Sequence, residues 1–76
     1  MPLTDVKYIG GYKLELVFES GRKKIHDFKK FLFSSSHPSI KKYQNIDLFK
    51  QVKLYKRAGL LTWDKHEMDI DPYYLP

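Results

Sequence analysis

Four carboxylates, Asp64, Glu67, Asp69 and Asp71, crowd the segment WDKHEMDIDPYYLP. Such oxygen ligands could hold a divalent cation, and paired carboxylates could divide acid and base work in hydrolysis. The spacing argues against both. A calcium loop of the EF-hand kind takes more oxygen ligands and a glycine at a fixed place, and this segment has no glycine. Paired-carboxylate hydrolysis needs a cleft, which a chain of 76 residues has little volume to enclose. In an extended segment residues i and i+2 share a side, so Asp69 and Asp71 should face water while Met68 and Ile70 turn inward. Asp71 followed by Pro72 is a turn or helix-start signal. The expectation is a structural clasp, with Tyr73, Tyr74 and Leu75 closing over a sheet.

The remaining chemistry-bearing residues are scattered. His26, His37 and His66 stand in three different kinds of segment, with no pair one helical turn apart as a metal site would favour. Ser34, Ser35 and Ser36 lack the glycine framing of a nucleophile elbow and read as a loop with a helix cap. Gly10-Gly11 is a turn, since a phosphate-cradling loop needs several spaced glycines and a following helix. There is no cysteine, which removes disulfides, thiolate metal sites and thiol nucleophiles and fits a reducing cytoplasm. The sequence therefore leads to the expectation of no catalytic residues, no metal and no cofactor: a protein that is not an enzyme.

Charge offers a second candidate. Residues 22–57 hold eleven of the fourteen Lys and Arg against Asp27 and Asp47, whereas the segments on either side are net acidic. Arg22, Lys23, Lys24, Lys29, Lys30, Lys41, Lys42, Lys50, Lys53, Lys56 and Arg57 sit among Phe, Tyr and His, a mixture that can bind single-stranded nucleic acid. Most are lysines, however, and arginine is the residue that forks onto phosphate and guanine edges. A lysine field of this kind more often is solvated or steers a protein partner. Lys23, Lys24, Lys53 and Arg57 are the expected steering residues. Tyr55, Tyr73 and Tyr74 are the expected contact residues, because exposed tyrosine is a common interface anchor.

The elements that must position these groups can be read from periodicity. Gly10-Gly11 and Ser20-Gly21 separate apolar runs and suit two-residue hairpin turns. Between them Tyr12, Leu14, Leu16 and Phe18 alternate with Lys13, Glu15, Val17 and Glu19, the period of a strand with one buried face. Flanking strands are expected at Val6–Ile9 and Arg22–Ile25. The third is lysine-rich, with Ile25 its firmly apolar member, and reads as an exposed edge. From Asp27 the period changes: Phe28, Phe31 and Leu32 share a helical face, with Asp27 near the start. Pro38 suits the first turn of another helix behind a Ser or His cap, with Ile40 and Tyr43 inward and Lys41 and Lys42 in water. Asn45 or Asp47 could cap a third turn carrying Leu48 and Phe49. Strand pattern then returns over 51–57, with Val52 and Leu54 on one face and Lys53 and Tyr55 on the other. Ala58-Gly59 marks a turn, and Leu60–Trp63 is the last expected strand. Trp63 should be core, wrapped by Leu60, Leu61, Met68 and Ile70, with its indole N–H seeking a partner. The expected class is α+β: an antiparallel or mixed sheet of about five strands, three N-terminal and two C-terminal, with two or three short helices between strands 3 and 4. The expected organisation is a single domain over residues 1–76, with no linker and no second domain.

The ordered set Phe18-x-x-Gly21, Asp27-Phe28, Leu48-Phe49 with Val52, and Trp63 ahead of Asp69-Ile70-Asp71-Pro72 resembles the bacterial domain of unknown function 2442 (DUF2442) along nearly the whole chain. The resemblance implies a small cytoplasmic protein, strand-rich with short helices, of a kind often encoded beside another small protein in suspected toxin–antitoxin pairs. Some such proteins carry an added helix-turn-helix domain. Two departures stand out. That family favours Pro and then Asn or Gly after the tryptophan, where this chain has Asp64-Lys65-His66-Glu67, and Lys23 takes a place usually apolar on the third strand's inner face. The family brings no established catalytic residues. No basic n-region precedes a long apolar run, and no apolar run nears the roughly 20 residues of a membrane span. The expectation is thus a soluble cytoplasmic interaction domain, the antitoxin-like member of a two-protein module with a small protein partner encoded nearby. The alternative is a basic nucleic-acid-binding or transcription-regulatory module.

Overall fold

The computed structural model describes residues 3–72. The class is α+β, as expected, but six strands form two three-stranded antiparallel meanders rather than one five-stranded sheet. The first contains β1 (Leu3–Tyr8), β2 (Lys13–Phe18) and β3 (Lys23–Asp27) in spatial order β1-β2-β3. Then come α1 (Lys29–Ser34), α2 (Pro38–Lys41), a 3₁₀ turn (Lys42–Gln44) and α3 (Ile46–Phe49). The second meander is β4 (Lys53–Tyr55), β5 (Leu60–Trp63) and β6 (Met68–Ile70), in order β4-β5-β6. β1 packs beside β4, which brings the two meanders together.

The helical turns start where their capping chemistry dictates. Asp27 Oδ1 accepts from the Lys29 N–H, so the carboxylate stands at the mouth of α1. His37 Nδ1 accepts from Ser39 N–H with Pro38 in the first turn of α2, and Asn45 Oδ1 accepts from Asp47 N–H at α3. Helices this short have little stability alone. They are held by burying Phe28, Leu32, Tyr43 and Phe49 against Leu14 and Leu16 of β2.

The core closes around Trp63, which is 1 % exposed. Its ring stacks on Phe49 at 5.8 Å and 29° and meets Phe28 and Tyr43 at 6.5 and 6.0 Å. Its indole N–H donates to the Phe49 carbonyl at 2.8 Å, which satisfies the one polar atom that burial would otherwise penalise.

The third strand differs from the expectation in which face it turns inward. The loop before it spans three residues, not two: Phe18 N–H donates to the Arg22 carbonyl and Gly21 N–H to the Phe18 carbonyl, with Gly21 at φ 87°. That arrangement is a turn followed by a left-handed glycine. The extra residue shifts the parity of β3. Leu14 and Leu16, both buried, lie opposite His26 and Lys24, while Lys23 and Ile25 lie opposite Val17 and Glu15 on the outer face. One position of slip exchanges every side chain between faces, so Ile25 is 59 % exposed rather than inward. His26 takes the inner place and packs edge-on against Phe28 at 4.6 Å.

The last hairpin differs too. Residues 68–70, expected as an extended tail, are a strand whose Met68, Asp69 and Ile70 pair with Trp63, Thr62 and Leu61. The turn before it runs through Asp64, Lys65 and His66 at φ 47°, 54° and 69° with no glycine. Left-handed backbone in residues bearing a Cβ costs on the order of 1 kcal/mol each, so contacts elsewhere must hold this turn.

Candidate functional site

The strained turn is held by a polar cluster that joins it to the helical segment. Glu67 Oε1 accepts from Lys42 Nζ at 2.7 Å and from the Tyr43 hydroxyl at 2.9 Å. Lys42 Nζ also reaches Asp64 Oδ2 at 3.2 Å and lies 5.6 Å from the Tyr43 ring centroid. The hydrogen bond from Lys42, then that from Tyr43, holds the Glu67 carboxyl below its usual range. The same two carboxylates push the Lys42 ammonium up. Burial, reinforced by Glu67, pushes the Tyr43 hydroxyl up to about 12. Glu67 and Lys42 are thus each held in their ordinary ionic form by a neighbour.

Beside this cluster lies an open cleft of about 140 Å³ lined by Lys42, Tyr43, Leu48, Gln51 and Asp64. Ligand sites usually enclose roughly 300–1,000 Å³, so the cleft is small for a substrate. On the other side of the hairpin His66 Nδ1 sits 3.1 Å from Asp69 Oδ2 and 3.2 Å from Thr62 Oγ1, with the Tyr55 ring edge-on at 4.8 Å. Asp69 therefore braces the turn. Among the described residues no three His, Cys, Asp or Glu side chains gather as metal ligands would. The histidines do three separate things: His26 packs on Phe28, His37 caps α2, and His66 braces the last turn.

The residues expected to meet a partner fall in different places. Lys23 and Lys24 lie on β3, whose strand neighbour among the described residues is β2. Lys53 and Tyr55 lie on β4 and Arg57 in the turn after it, at the other sheet. Tyr55 is half-buried against His66, which makes it a packing residue. Tyr73 and Tyr74, with the clasp expected to include them and Leu75, lie outside the described residues. Among the lysines expected in water, Lys42 is instead the centre of the polar cluster. Sequence spacing carried no signal for that cluster, because Glu67 lies 25 residues further along the chain.

Phe31 and Phe33 on α1 are two residues apart, and residues so spaced on a helix point to different sides. Phe33 is moreover edge-on to Tyr12 at 5.4 Å, and the Tyr12 hydroxyl donates to the Gln44 carbonyl.

The family described as "Protein of unknown function (DUF2442)" matches residues 3–75. The chain belongs to that family. None of the curated proteins matches it, and neither does any solved structure. The residues that carry the DUF2442 likeness are mostly those that build this core. Gly21 makes the left-handed turn, Phe18 packs at the core's margin, Asp27 accepts from the Lys29 N–H ahead of α1, and Phe28 is buried. Leu48 and Val52 pack at the margin, while Phe49 supplies both a buried ring and the carbonyl that receives Trp63. Asp69 braces His66, Ile70 packs against the core, Asp71 is half-buried and Pro72 is buried. No helix among the described residues is long and apolar enough to cross a membrane.

Proposed function

We propose that this DUF2442 chain is a non-catalytic protein-interaction domain of the bacterial cytoplasm, the antitoxin-like member of a two-protein toxin–antitoxin module. The observation that carries this reading is the contrast in how its charges are used. The carboxylates Asp64, Glu67 and Asp69 are bound to the protein's own side chains, whereas β3 presents Lys23 and the apolar Ile25 to solvent. A surface of that composition suits recognition of an acidic protein, with the lysine field raising the association rate. Acting as an antitoxin, the domain would work by occlusion, covering its partner rather than altering it chemically.

Co-expression tests this reading. The tagged chain, expressed with the product of an adjoining small gene, should retain that product through size exclusion, and the pair should be less toxic to cells than the product alone. A chain that retains no neighbour's product would overturn it. The nucleic-acid reading predicts instead an oligonucleotide complex whose affinity falls steeply with salt.

A further inference from the structure

β3 carries opposite charges placed symmetrically about its middle residue. The hydrogen bonds Phe18 N–H to Arg22 carbonyl and Phe28 N–H to Tyr12 carbonyl bracket the β2–β3 ladder. In an antiparallel pair the bonded residues alternate. Arg22, Lys24, His26 and Phe28 therefore turn their backbone groups toward β2, and Lys23, Ile25 and Asp27 turn theirs away from it. Among the described residues β3 pairs with β2 alone. The outward set reads basic, apolar, acidic, with Ile25 59 % exposed at its centre. Neither Lys23 nor Asp27 makes an ion pair among the described residues. Lysine is a common guard against sheet-to-sheet pairing, but a guard alone does not require an acid in the same outward set.

We infer that two copies of this chain pair antiparallel along their β3 edges, about a two-fold axis at Ile25. Each Ile25 then lies opposite Ile25 of the second copy, and each Lys23 lies opposite Asp27 of the second copy. Directly opposed apolar residues and opposite charges both favour such pairing. Backbone groups of Lys23, Ile25 and Asp27 supply the ladder, so the same patch serves both copies, as a two-fold interface requires. A parallel arrangement would set Lys23 beside Lys23 and Asp27 beside Asp27. A slip of two residues would set Ile25 against a charge. One register alone matches every outward side chain with its complement. One strand edge is a small interface, so the copies should part on dilution. The inference goes beyond the proposed function, since the second copy takes the backbone edge and the outer side-chain face stays open to another protein.

Sedimentation of the full chain over a concentration series, with amide exchange followed by NMR at both extremes, tests the inference. A monomer–dimer equilibrium should appear. The amides of Lys23, Ile25 and Asp27 should exchange slowly in the concentrated chain and fast in the dilute one, while those of Lys24 and His26, turned toward β2, stay unchanged. K23E should weaken association about tenfold or more, whereas K30E, the same change of charge on α1, should alter it less than about threefold. D27K should weaken association as K23E does. An equimolar mixture of K23E and D27K should associate about as well as the wild-type chain, because each copy then supplies the charge that the other lacks. Should D27K not fold by circular dichroism, the contrast of K23E with K30E and the exchange pattern decide the same point. A chain that stays monomeric throughout, equal loss in K23E and K30E, or no recovery in the mixture of folded variants would overturn the inference. So would slow exchange of the Lys23, Ile25 and Asp27 amides in the dilute monomer, which would mean that the edge is already taken.

Discussion

The two meanders share a connectivity and differ in what holds them. The first has strands of six, six and five residues, and its turns use Gly10, Gly11 and Gly21, at φ 113°, 52° and 87°, where the backbone turns left-handed. Its backbone ladder carries it, and among the described residues β3 pairs with β2 alone. The second has strands of three, four and three residues, and its last turn takes three left-handed residues without glycine. Ladders that short do not stand alone. They are fastened by Trp63 inside and by Lys42, Tyr43 and Glu67 outside. Asp64, Glu67 and Asp69 are thus engaged by side chains of the protein itself, whereas β3 exposes Lys23 and Ile25.

The largest effect should come from the fastening of the second meander. Trp63→Ala removes the central ring and leaves the Phe49 carbonyl without its donor, at a cost of about 3–5 kcal/mol. Domains of this size have roughly 4–10 kcal/mol in all, so urea denaturation should show a chain close to unfolded. Val17→Ala, on the outer face of the first meander, should cost less than about 1 kcal/mol in the same assay.

The next effects are on pH. The Tyr43 hydroxyl is raised from 10.0 to about 12 in the fold, so its contribution is complete below pH 10 and is lost as pH rises through 12. Tyr43→Phe should flatten that alkaline limb of the urea midpoint. Glu67 is lowered, so its contribution is complete above the ordinary carboxyl range and fades as pH falls through the depressed value. Glu67→Gln should flatten the acid limb.

Smaller again is relief of the turn. Lys65 is exposed at φ 54°, and Lys65→Gly should raise stability by about 0.5–1 kcal/mol. Asp64→Gly should gain less, since it also forfeits the contact with Lys42.

The smallest effect lies in the first meander. Burial against Phe28, with Lys24 nearby and Asp27 opposing, lowers the His26 imidazole from 6.5. Neutral His26 is favoured in the fold, so stability is complete above pH 6.5 and declines below it. His26→Gln should remove that slope in a thermal melt series.

Much of the fold was legible because local chemistry specifies it. The β2 alternation, the Asp27 start of α1, His37-Pro38 and Asn45 each act over a few residues, and each stands where periodicity and capping put it. Three features were not legible. The face of β3 depends on loop length: a two-residue reading of Ser20-Gly21 sends Ile25 inward, and the three-residue loop sends it out. β6 was hidden because its turn, Asp64 to Glu67, has none of the glycine or asparagine that marks a hairpin, and is enforced by residues 42 and 43 from another element. The polar cluster was invisible for the same reason. Nothing in local spacing ties Lys42 to Glu67.

The most direct measurement is a map of amide hydrogen exchange along the chain alone and in complex with the co-expressed product of the adjoining gene. The account predicts new protection at residues 23–27, with residues 64–69 unchanged. Protection centred on residues 64–69, with β3 exchanging as before, would contradict it.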